Sequence, residues 1–368
     1  MRDYIHHLAS WPIFRWRTDA LVTKLGEVRH QQERLMGRMS ALGFSMQSEA
    51  VLSTLTQDVL KSSEIEGEHL DRKQVRSSIA RRLGLEVAGL VPSDRNIDGM
   101  VEMMLDATQN YAAPLSKERL FAWHASIFPT GRSGMTQIRV GNWRNDEAGP
   151  MQVVSGPFGR ERVHFEAPAA SRLEAEMNHF IDWFESGADI DPVLKAGLAH
   201  LWFVTIHPFD DGNGRIARAI ADLALSRAEK TTQRFYSMSA QIRQERKTYY
   251  DLLEANLRGD LDITRWLQWF LDCLSRACMG AEQTLQGVLG KAAFWERFGS
   301  ASLNERQRAM LNRLLDGFEG KLTSSKWAKI TKVSGDTALR DIQDLVQRRV
   351  LIRDEGGGRN TSYSLHTL

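Results

Sequence analysis

Twelve consecutive residues, His207 to Arg218, constrain this chain more than any other stretch. They read His-Pro-Phe-Asp-Asp-Gly-Asn-Gly-Arg-Ile-Ala-Arg, which combines one base, two carboxylates, two glycines around an asparagine and two arginines. A hydrophobic core does not require that mixture. A chain of phosphates does, because glycines let backbone N–H groups converge on an anion while arginines supply positive charge.

The residues around this run predict its local structure. The apolar stretch 201–206 predicts a buried helix, and Pro208 disfavours a helical conformation at His207, so we expect that helix to end there. Residues 211–214 predict a tight loop, and residues 215–225 predict a second helix with one apolar face. The glycines would then lie at a helix N-terminus, which is a favourable place for an anion.

Each polar side chain of the run suits a particular chemical task. His207 can act as a general base near neutral pH. Asp211 can hold Mg²⁺ between phosphate oxygens. Arg215 and Arg218 lie one helical turn apart, so both can face one ligand.

The run resembles the signature of the Fic family, His-Pro-Phe-x-Asp/Glu-Gly-Asn-Gly-Arg-x-x-Arg, at every specified position. That resemblance implies a Mg²⁺-dependent adenylyltransferase, which moves AMP from ATP to a hydroxyl side chain (Ser, Thr or Tyr) of a target protein. It implies that His207 deprotonates the hydroxyl and that Asp211 binds Mg²⁺. The implied phosphate contacts are Gly212, Asn213, Gly214 and Arg215 for the α- and β-phosphates and Arg218 for the γ-phosphate.

A second segment, Ser62-Ser63-Glu64-Ile65-Glu66-Gly67, is similar to the inhibitory pattern of Fic proteins, Ser/Thr-x-x-x-Glu-Gly/Asn. The resemblance implies that Glu66 pairs with Arg218 and that Ser62 helps to anchor the inhibitory helix. A carboxylate on Arg218 would occupy the place of the γ-phosphate and repel ATP. Gly67 also has a simpler interpretation, because Glu-Gly after a helix is a common C-terminal cap.

Two further segments resemble Fic substrate contacts. Residues 137–144 lead into residues 151–165, where β-prone stretches flank the turn Gly156-Pro157-Phe158-Gly159 and predict a hairpin. It resembles the Fic flap, along which a target segment pairs by its main chain. The candidate target contacts are Arg160, Glu161, Arg162 and His164. The alternative is a solvated hairpin without a partner.

Residues 247–256 resemble the segment near the adenine base in Fic proteins. Tyr249, Tyr250 and Asn256 are the residues that would bound the base. The alternative interpretation is a helix whose tyrosines pack on the core. The sequence does not separate these two interpretations.

Composition narrows the class of protein. The chain has 48 Lys and Arg against 46 Asp and Glu, so a globally basic nucleic-acid binder is not indicated. Only two cysteines are present, Cys273 and Cys278, and their spacing is not a metal-binding pattern. The N-terminus has no apolar core of the signal type, and no apolar run is long enough for a membrane span. We therefore expect a cytoplasmic protein.

The whole pattern predicts a mostly α fold in three parts. Residues 1–95 are expected to form an N-terminal helical domain that carries the inhibitory motif, and residues 96–285 the Fic helical core with its β-hairpin flap. Pro92-Ser93-Asp94 marks the break between them and predicts a helix N-cap. Residues 300–368 are expected to form a separate module.

The order helix, turn, helix and two strands in this last module resembles a winged helix, with a turn at Gly356-Gly357-Gly358. Such modules often bind DNA through the second helix of the helix-turn-helix. Residues 301–368 hold twelve Lys and Arg against eight Asp and Glu, but that helix carries Asp336, Asp341 and Asp344 against Arg340. Carboxylates that face the phosphates of DNA repel them and disfavour DNA binding. DNA binding and a protein-contact or structural role both stay open.

Three functional hypotheses follow. The first is an adenylyltransferase that Glu66 inhibits by pairing with Arg218. The second is a DNA-binding regulator whose Fic core senses a nucleotide; the presence of His207 argues against it, because sensing alone needs no base. The third keeps the core and changes the reaction to another phosphate donor or to the removal of AMP. Self-modification and homo-oligomer formation are left open by the sequence.

Overall fold

The computed structural model of the chain describes residues 4–85, 89–156, 159–160, 162–187, 189–298, 302–315, 318, 320–354 and 361–366. The chain divides into two compact units, one up to Glu282 and one from Gln283 onward. The first unit contains both the predicted N-terminal helical domain and most of the predicted core. The boundary expected near residue 95 stays a prediction.

Three helices form the N-terminal part of the first unit. They are α1 (Val22–Ser40), α2 (Phe44–Ile65) and α3 (Arg72–Arg82). In α1 the buried residues Val28, Leu35 and Met39 recur at helical spacing, which gives the helix one apolar face. Helix α3 begins where the side chain of Asp71 accepts a hydrogen bond from the backbone N–H of Gln74 at 2.9 Å.

The next two helices are α4 (Arg95–Gln109) and α5 (Lys117–Ile127). Asp94 caps α4 by accepting from the N–H of Ile97 at 2.9 Å, as the sequence predicted for this position. The two helices approach very closely at Gly99. A Cβ at this glycine would lie 1.7 Å from the carbonyl oxygen of Ser126. Only glycine therefore allows this approach, which positions α5 and the residues that follow it.

Two short hairpins follow α5. The first joins β1 (Arg132–Ser133) to β2 (Thr136–Gln137), and the second joins β3 (Gln152–Ser155) to β4 (Arg162–Glu166). Both are antiparallel, and the second has a register shift between Val153 and Val154. The second hairpin lies where the sequence predicted a flap. The predicted turn residues Pro157 and Phe158, and the candidate contact Glu161, lie outside the described residues.

Six more helices follow in the first unit, and the last of these helices continues past Glu282. They are α6 (Leu173–Glu185), α7 (Pro192–Ile206), α8 (Asn213–Glu229), α9 (Met238–Gln244), α10 (Arg246–Leu257) and α11 (Thr264–Phe298). Helices α7 and α8 pack side by side and are buried along almost their whole length. They form the centre of the unit, and the loop that joins them contains the first part of the His207–Arg218 run.

The second unit contains α12 (Glu305–Leu315), β5 (Leu322–Thr323), α13 (Ser324–Thr331), α14 (Gly335–Gln347), β6 (Leu351–Arg353) and β7 (Ser362–Leu365). Its three strands form an antiparallel sheet in the order β5-β7-β6. Trp327, Ile342 and Leu345 belong to its hydrophobic core. The expected turn at Gly356-Gly357-Gly358 lies outside the described residues, and assignment of the unit as a winged helix stays a prediction.

Two observations concern the expected environment of the protein. Cys273 and Cys278 are both buried, and neither forms a disulfide. Within the described parts of the chain, every helix is too short or too polar to cross a lipid bilayer.

The close approach of α4 and α5 gives a first test. We expect Gly99→Ala to lower the free energy of unfolding by about 3 kcal/mol or more, because overpacking of a tight helix contact is strongly destabilising. The matched control is Gly26→Ala in α1, where an added Cβ meets nothing within 4 Å. There the change should stabilise by about 0.5–1 kcal/mol through helix propensity. Urea unfolding measures both, and equal effects would contradict the packing argument.

Candidate active site

The loop between α7 and α8 places His207 by a change of backbone conformation. Helix α7 ends at Ile206, and His207 has a φ of +52°, in the left-handed region. Its backbone N–H still donates to the carbonyl of Phe203 at 3.0 Å. A non-glycine residue in this conformation is unusual, and the surrounding contacts hold it there. Pro208 follows at once, as expected for a residue that stops a helix.

Burial lowers the pKa of His207 to about 4, and the nearby charge of Arg144 also lowers it. The imidazole is therefore neutral at pH 7. Its Nδ1 lies 3.2 Å from the carbonyl oxygen of Val204 and is placed to donate to it. In a neutral ring this leaves the lone pair on Nε2. A neutral imidazole in this tautomer could accept a proton at Nε2.

Arg144 holds the backbone on both sides of Pro208. Its Nε donates to the carbonyl of His207 at 2.8 Å, and its backbone N–H donates to the carbonyl of Pro208 at 2.9 Å. The guanidinium also donates to the carbonyl of Pro168 at 2.5 Å and pairs with Asp146 at 3.0 Å. Sequence reasoning gave Arg144 no role, since nothing local to residue 144 indicates these partners.

Asn213 closes the same loop with its side chain. Its Oδ1 accepts from the N–H of Phe209 at 3.0 Å, and its Nδ2 donates to the carbonyl of Phe209 at 2.8 Å. The resemblance implies that Asn213 contacts phosphate. The structure commits its side-chain amide to the loop, so only its backbone N–H, in the first turn of α8, would serve that contact.

The glycines surround the N-terminus of α8. Gly212 is the N-cap of the helix and has a φ of +82°. A Cβ there would lie 2.8 Å from Cδ1 of Ile127 and 2.9 Å from Cε2 of Phe128. A side chain at this position is therefore excluded both by conformation and by space. The backbone N–H groups of the first turn of α8 have no helical partners, and such a helix N-terminus favours a nearby anion.

Asp211 lies at the edge of this loop. Its carboxylate accepts from the backbone N–H of Gly212 at 2.6 Å and from the hydroxyl of Ser133, and it lies 3.7 Å from the guanidinium of Arg215. Its side chain is partly exposed. The described residues include no group of three or more His, Cys, Asp or Glu side chains that could hold a metal ion. A single carboxylate still fits Mg²⁺, which takes one or two protein carboxylates and completes its shell with phosphates and water.

Arg218 is a buried charge of the site, with 2% of its side chain exposed. Its Nη2 donates to Oε1 of Glu66 at 2.8 Å and to the carbonyl of Ser62 at 2.8 Å. Its Nε donates to the hydroxyl of Ser62 at 3.0 Å. All three contacts come from the end of α2, so the structure brings together the arginine and the glutamate that the sequence paired.

The carboxylate of Glu66 also reaches the anion loop itself. A Cβ on Gly214 would lie 2.3 Å from its Oε1, so the carboxylate rests directly on the first turn of α8. Its Oε2 lies 3.4 Å from the hydroxyl of Tyr250. Glu66 is the C-cap of α2, and Gly67 follows with a φ of +87°. Gly67 therefore terminates the helix, as the capping interpretation proposed, while Glu66 contacts the arginine.

Helix α10 carries the three residues that are predicted to contact the adenine base, and it places them in three different environments. Tyr249 is buried, and its hydroxyl shares a hydrogen bond with Nε2 of His200 at 2.9 Å. Its ring packs on Trp266 and Trp269. This is the core environment of the alternative interpretation. Tyr250 is partly buried beside Glu66 and belongs to the site. The side-chain amide of Asn256 donates to the carbonyl of Leu252 at 2.7 Å. Among the described residues, no hydrogen bond joins it to the anion loop. Contact of these three residues with the adenine base stays a prediction.

The flap hairpin is fastened to the same helix. His164 lies between Ser155, 2.6 Å from its Nε2, and Glu254, 2.7 Å from its Nδ1. Arg162 also pairs with Glu254 at 2.8 Å, and Arg258 donates to the carbonyl of His164 at 3.1 Å. Two of the candidate target contacts, Arg162 and His164, are thus engaged with α10, and Arg160 is exposed.

The side chain of Asn213 gives the test of this loop. We expect Asn213→Ala to lower the free energy of unfolding by about 1–3 kcal/mol, because it leaves the buried N–H and carbonyl of Phe209 without partners. Asn110→Ala is the control, since that amide bonds to Asp106 at the surface and should cost less than about 1 kcal/mol. Chemical unfolding compares the two, and a cost no greater than that of the control would contradict the assigned contact.

Parts of this chain are similar to known proteins. Residues 114–225 match the model of the Fic/DOC family, and residues 4–85, which include Ser62 and Glu66, match a domain of unknown function, DUF4172. A relative from Aedes aegypti called protein adenylyltransferase Fic is 28% identical over 274 residues, which are 71% of this chain and 49% of the relative. A relative of the same name from Drosophila willistoni is 33% identical over 129 residues, 34% of this chain and 24% of the relative. The chain therefore spans half or less of these relatives.

Two solved structures share the fold at 21% identity. A Fic family protein from Desulfovibrio desulfuricans G20 superposes with a TM-score of 0.53 over 95% of this chain and 96% of its own. A Fic domain containing signalling protein from Bacteroides thetaiotaomicron VPI-5482 has a TM-score of 0.52 over 71% and 97%. The mostly helical fold expected from the sequence is confirmed. Residues 114–225 thus match the Fic/DOC family model, and the chain shares its fold with these two Fic proteins.

Proposed function

We propose that this chain transfers AMP from ATP to a hydroxyl side chain of a protein. The observation that carries the proposal is His207, a neutral base whose Nε2 lone pair is free to accept a proton, next to a helix N-terminus with two buried arginines. The relative from Aedes aegypti is called a protein adenylyltransferase, and its alignment covers 71% of this chain.

In this mechanism the chain positions ATP and removes one proton. The first turn of α8 and Arg215 receive the α- and β-phosphates, and Arg218 receives the γ-phosphate. His207 Nε2 takes the proton from the target hydroxyl, whose oxygen bonds to the α-phosphorus as pyrophosphate leaves. Asp211 would hold Mg²⁺, which neutralises charge on the phosphates when bound. Phosphoryl-type transfer depends mainly on such positioning and charge neutralisation.

Glu66 is the inhibitory residue of this proposal. Its carboxylate pairs with Arg218 and rests on Gly214, so it occupies the region that the γ-phosphate needs. A phosphate brought to the same place meets both a steric overlap and a like charge. ATP would then bind weakly or with its α-phosphate out of line for attack. Removal of AMP is the alternative reaction at the same residues, with Glu66 positioning water.

Transfer of label from ATP labelled at the α-phosphate, with Mg²⁺, tests the base and the inhibition together. Glu66→Gly should raise labelling of protein by about tenfold or more, because a charge-assisted contact that excludes ATP is lost. Glu66→Gly with His207→Ala should return labelling to background while ATP binding persists. Asp251→Asn is a control on the exposed side of α10 and should leave labelling unchanged.

Three results would redirect this proposal. Persistent labelling without His207 would remove its role as the base. Unchanged or weaker labelling in Glu66→Gly would remove inhibition by Glu66. Loss of label from pre-labelled protein that requires Glu66 would favour removal of AMP as the main reaction.

A second candidate function concerns the unit from Gln283 onward. On α14, Asp341 pairs with Arg306 at 2.9 Å and Asp344 accepts from Gln307 at 2.8 Å, both on α12. The carboxylates of Asp341 and Asp344 thus contact α12 of the same unit, while Arg340 is exposed. Asp344 also pairs with Arg348 at 2.8 Å, so two of the three carboxylates of this helix are paired with arginines, whereas Asp336 is exposed. This observation favours DNA binding as an additional function to test.

If this unit binds DNA, the affinity of the full chain for a labelled duplex should fall about tenfold or more between about 50 and about 200 mM salt, because phosphate contacts release counterions. Arg340→Gln should weaken binding and reduce the salt dependence. Arg313→Gln, on the exposed side of α12, is the matched control. Binding that ignores salt, or an equal effect of both variants, would argue for a protein-contact or structural role.

A further inference from the structure

A second glutamate beside the inhibitory one contacts the other arginine of the anion loop. Oε2 of Glu68 lies 2.8 Å from Nη1 of Arg215, whose side chain is 3% exposed, whereas that of Glu68 is 46% exposed. The two residues are 147 positions apart in sequence. The pattern Ser-x-x-x-Glu-Gly ends before Glu68, so sequence reasoning assigned this residue no role.

One turn of the chain supplies both glutamates. Gly67, with its φ of +87°, reverses the direction of the backbone after α2. The N–H of Glu68 then donates to the carbonyl of Ser63 at 3.0 Å, which fixes the turn against the helix end. Residues 66 and 68 therefore both face α8, where Arg218 and Arg215 lie one helical turn apart.

The surroundings of Arg215 show why it requires an anion. Its guanidinium lies 4.8 Å from the centre of the Phe128 ring and 3.7 Å from the carboxylate of Asp211. Its Nε is buried and has no hydrogen-bond partner among the residues that the structure describes. A buried cation needs a close partner of opposite charge, and Glu68 makes the shortest such contact. Carboxylate and phosphate compete for the same donors of an arginine.

We infer that Glu68 is a second nucleotide-excluding carboxylate, which occupies the phosphate seat at Arg215 as Glu66 occupies the one at Arg218. The inference rests on the proposed function, in which Arg215 receives the α- and β-phosphates and Arg218 the γ-phosphate. Glu68, through Arg215, opposes every nucleotide that carries a diphosphate. Glu66 rests on Gly214 and pairs with Arg218, so it opposes the triphosphate more strongly than the diphosphate.

The competing explanation gives Glu68 a structural task only. In that case its pair with Arg215 would hold the turn so that Glu66 stays on Arg218, and loss of Glu68 would act through Glu66. The half-exposed Glu68 side chain can leave Arg215 for solvent by a rotation about its own bonds, whereas Arg215 is enclosed. The two explanations predict different gains in affinity for ADP and for ATP when Glu68 is replaced, so binding measurements distinguish them.

Binding of ADP and of ATP, each with Mg²⁺, is measured by calorimetry on the full chain and three matched variants. Glu68→Gln removes only the charge at Arg215, and Glu66→Gln removes only the charge at Arg218. Glu64→Gln is the control from the same helix end, because its carboxylate pairs with Lys61 at 2.8 Å and with Arg243 at 3.6 Å. All three changes keep the size of the side chain, so we expect all three variants to fold.

We expect Glu68→Gln to tighten ADP and ATP by the same factor, about tenfold, the size of a lost charge-assisted competitor. Glu66→Gln should tighten ATP by about tenfold more than it tightens ADP, because only the triphosphate reaches Arg218. Equal ADP affinities in Glu68→Gln, Glu64→Gln and the unchanged chain would overturn the inference. A gain for ATP that clearly exceeds the gain for ADP in Glu68→Gln would also overturn it, because that is the pattern of action through Glu66.

The same data separate this inference from the proposed inhibition by Glu66. If Glu66→Gln leaves ATP binding unchanged while Glu68→Gln tightens both nucleotides, inhibition by Glu66 fails and the role of Glu68 stands. If Glu66→Gln behaves as expected while Glu68→Gln matches the Glu64→Gln control, inhibition stands and the role of Glu68 fails.

Discussion

The buried guanidinium of Arg218 is the interaction on which the arrangement of this site depends. A cation with 2% exposure is stable only when nearby groups replace its water, and here Ser62 and Glu66 do so. Both belong to the end of α2, more than 150 positions earlier in the chain. The charge therefore fastens the N-terminal helices to α8, and the same donors would serve a phosphate.

The chemistry of the loop before α8 depends on a second set of contacts. His207 has the left-handed backbone conformation, and Arg144 and Asn213 hold the residues around it through main-chain atoms. Burial then keeps the imidazole neutral, with its pKa at about 4. The position of the base and its protonation state thus have separate causes. Backbone hydrogen bonds fix the first, and exclusion of water sets the second.

Much of this could be predicted from the sequence because it is local. The end of α7 follows from Pro208 and the cap of α4 from Asp94. The sequence predicts the next helix from Arg215, whereas α8 begins two residues earlier, at Asn213, with Gly212 as its N-cap. The pairing of Glu66 with Arg218 was reached by resemblance to a known pattern. The roles of Tyr249 and Asn256 were left between two interpretations, and the structure places Tyr249 in the core. Periodicity alone does not distinguish a ring that packs in a core from one that borders a ligand.

From its sequence the chain could be assigned a mostly helical fold, a histidine at the end of one helix, a glycine-containing loop and two arginines on the helix that follows. These follow from residue types at fixed short spacings, where backbone geometry leaves few alternatives. The tertiary structure alone decided that Arg144 supports the loop and that Glu68 pairs with Arg215. Those contacts join residues tens to more than a hundred positions apart, and they exist only because the packing of helices brings the side chains within hydrogen-bond distance.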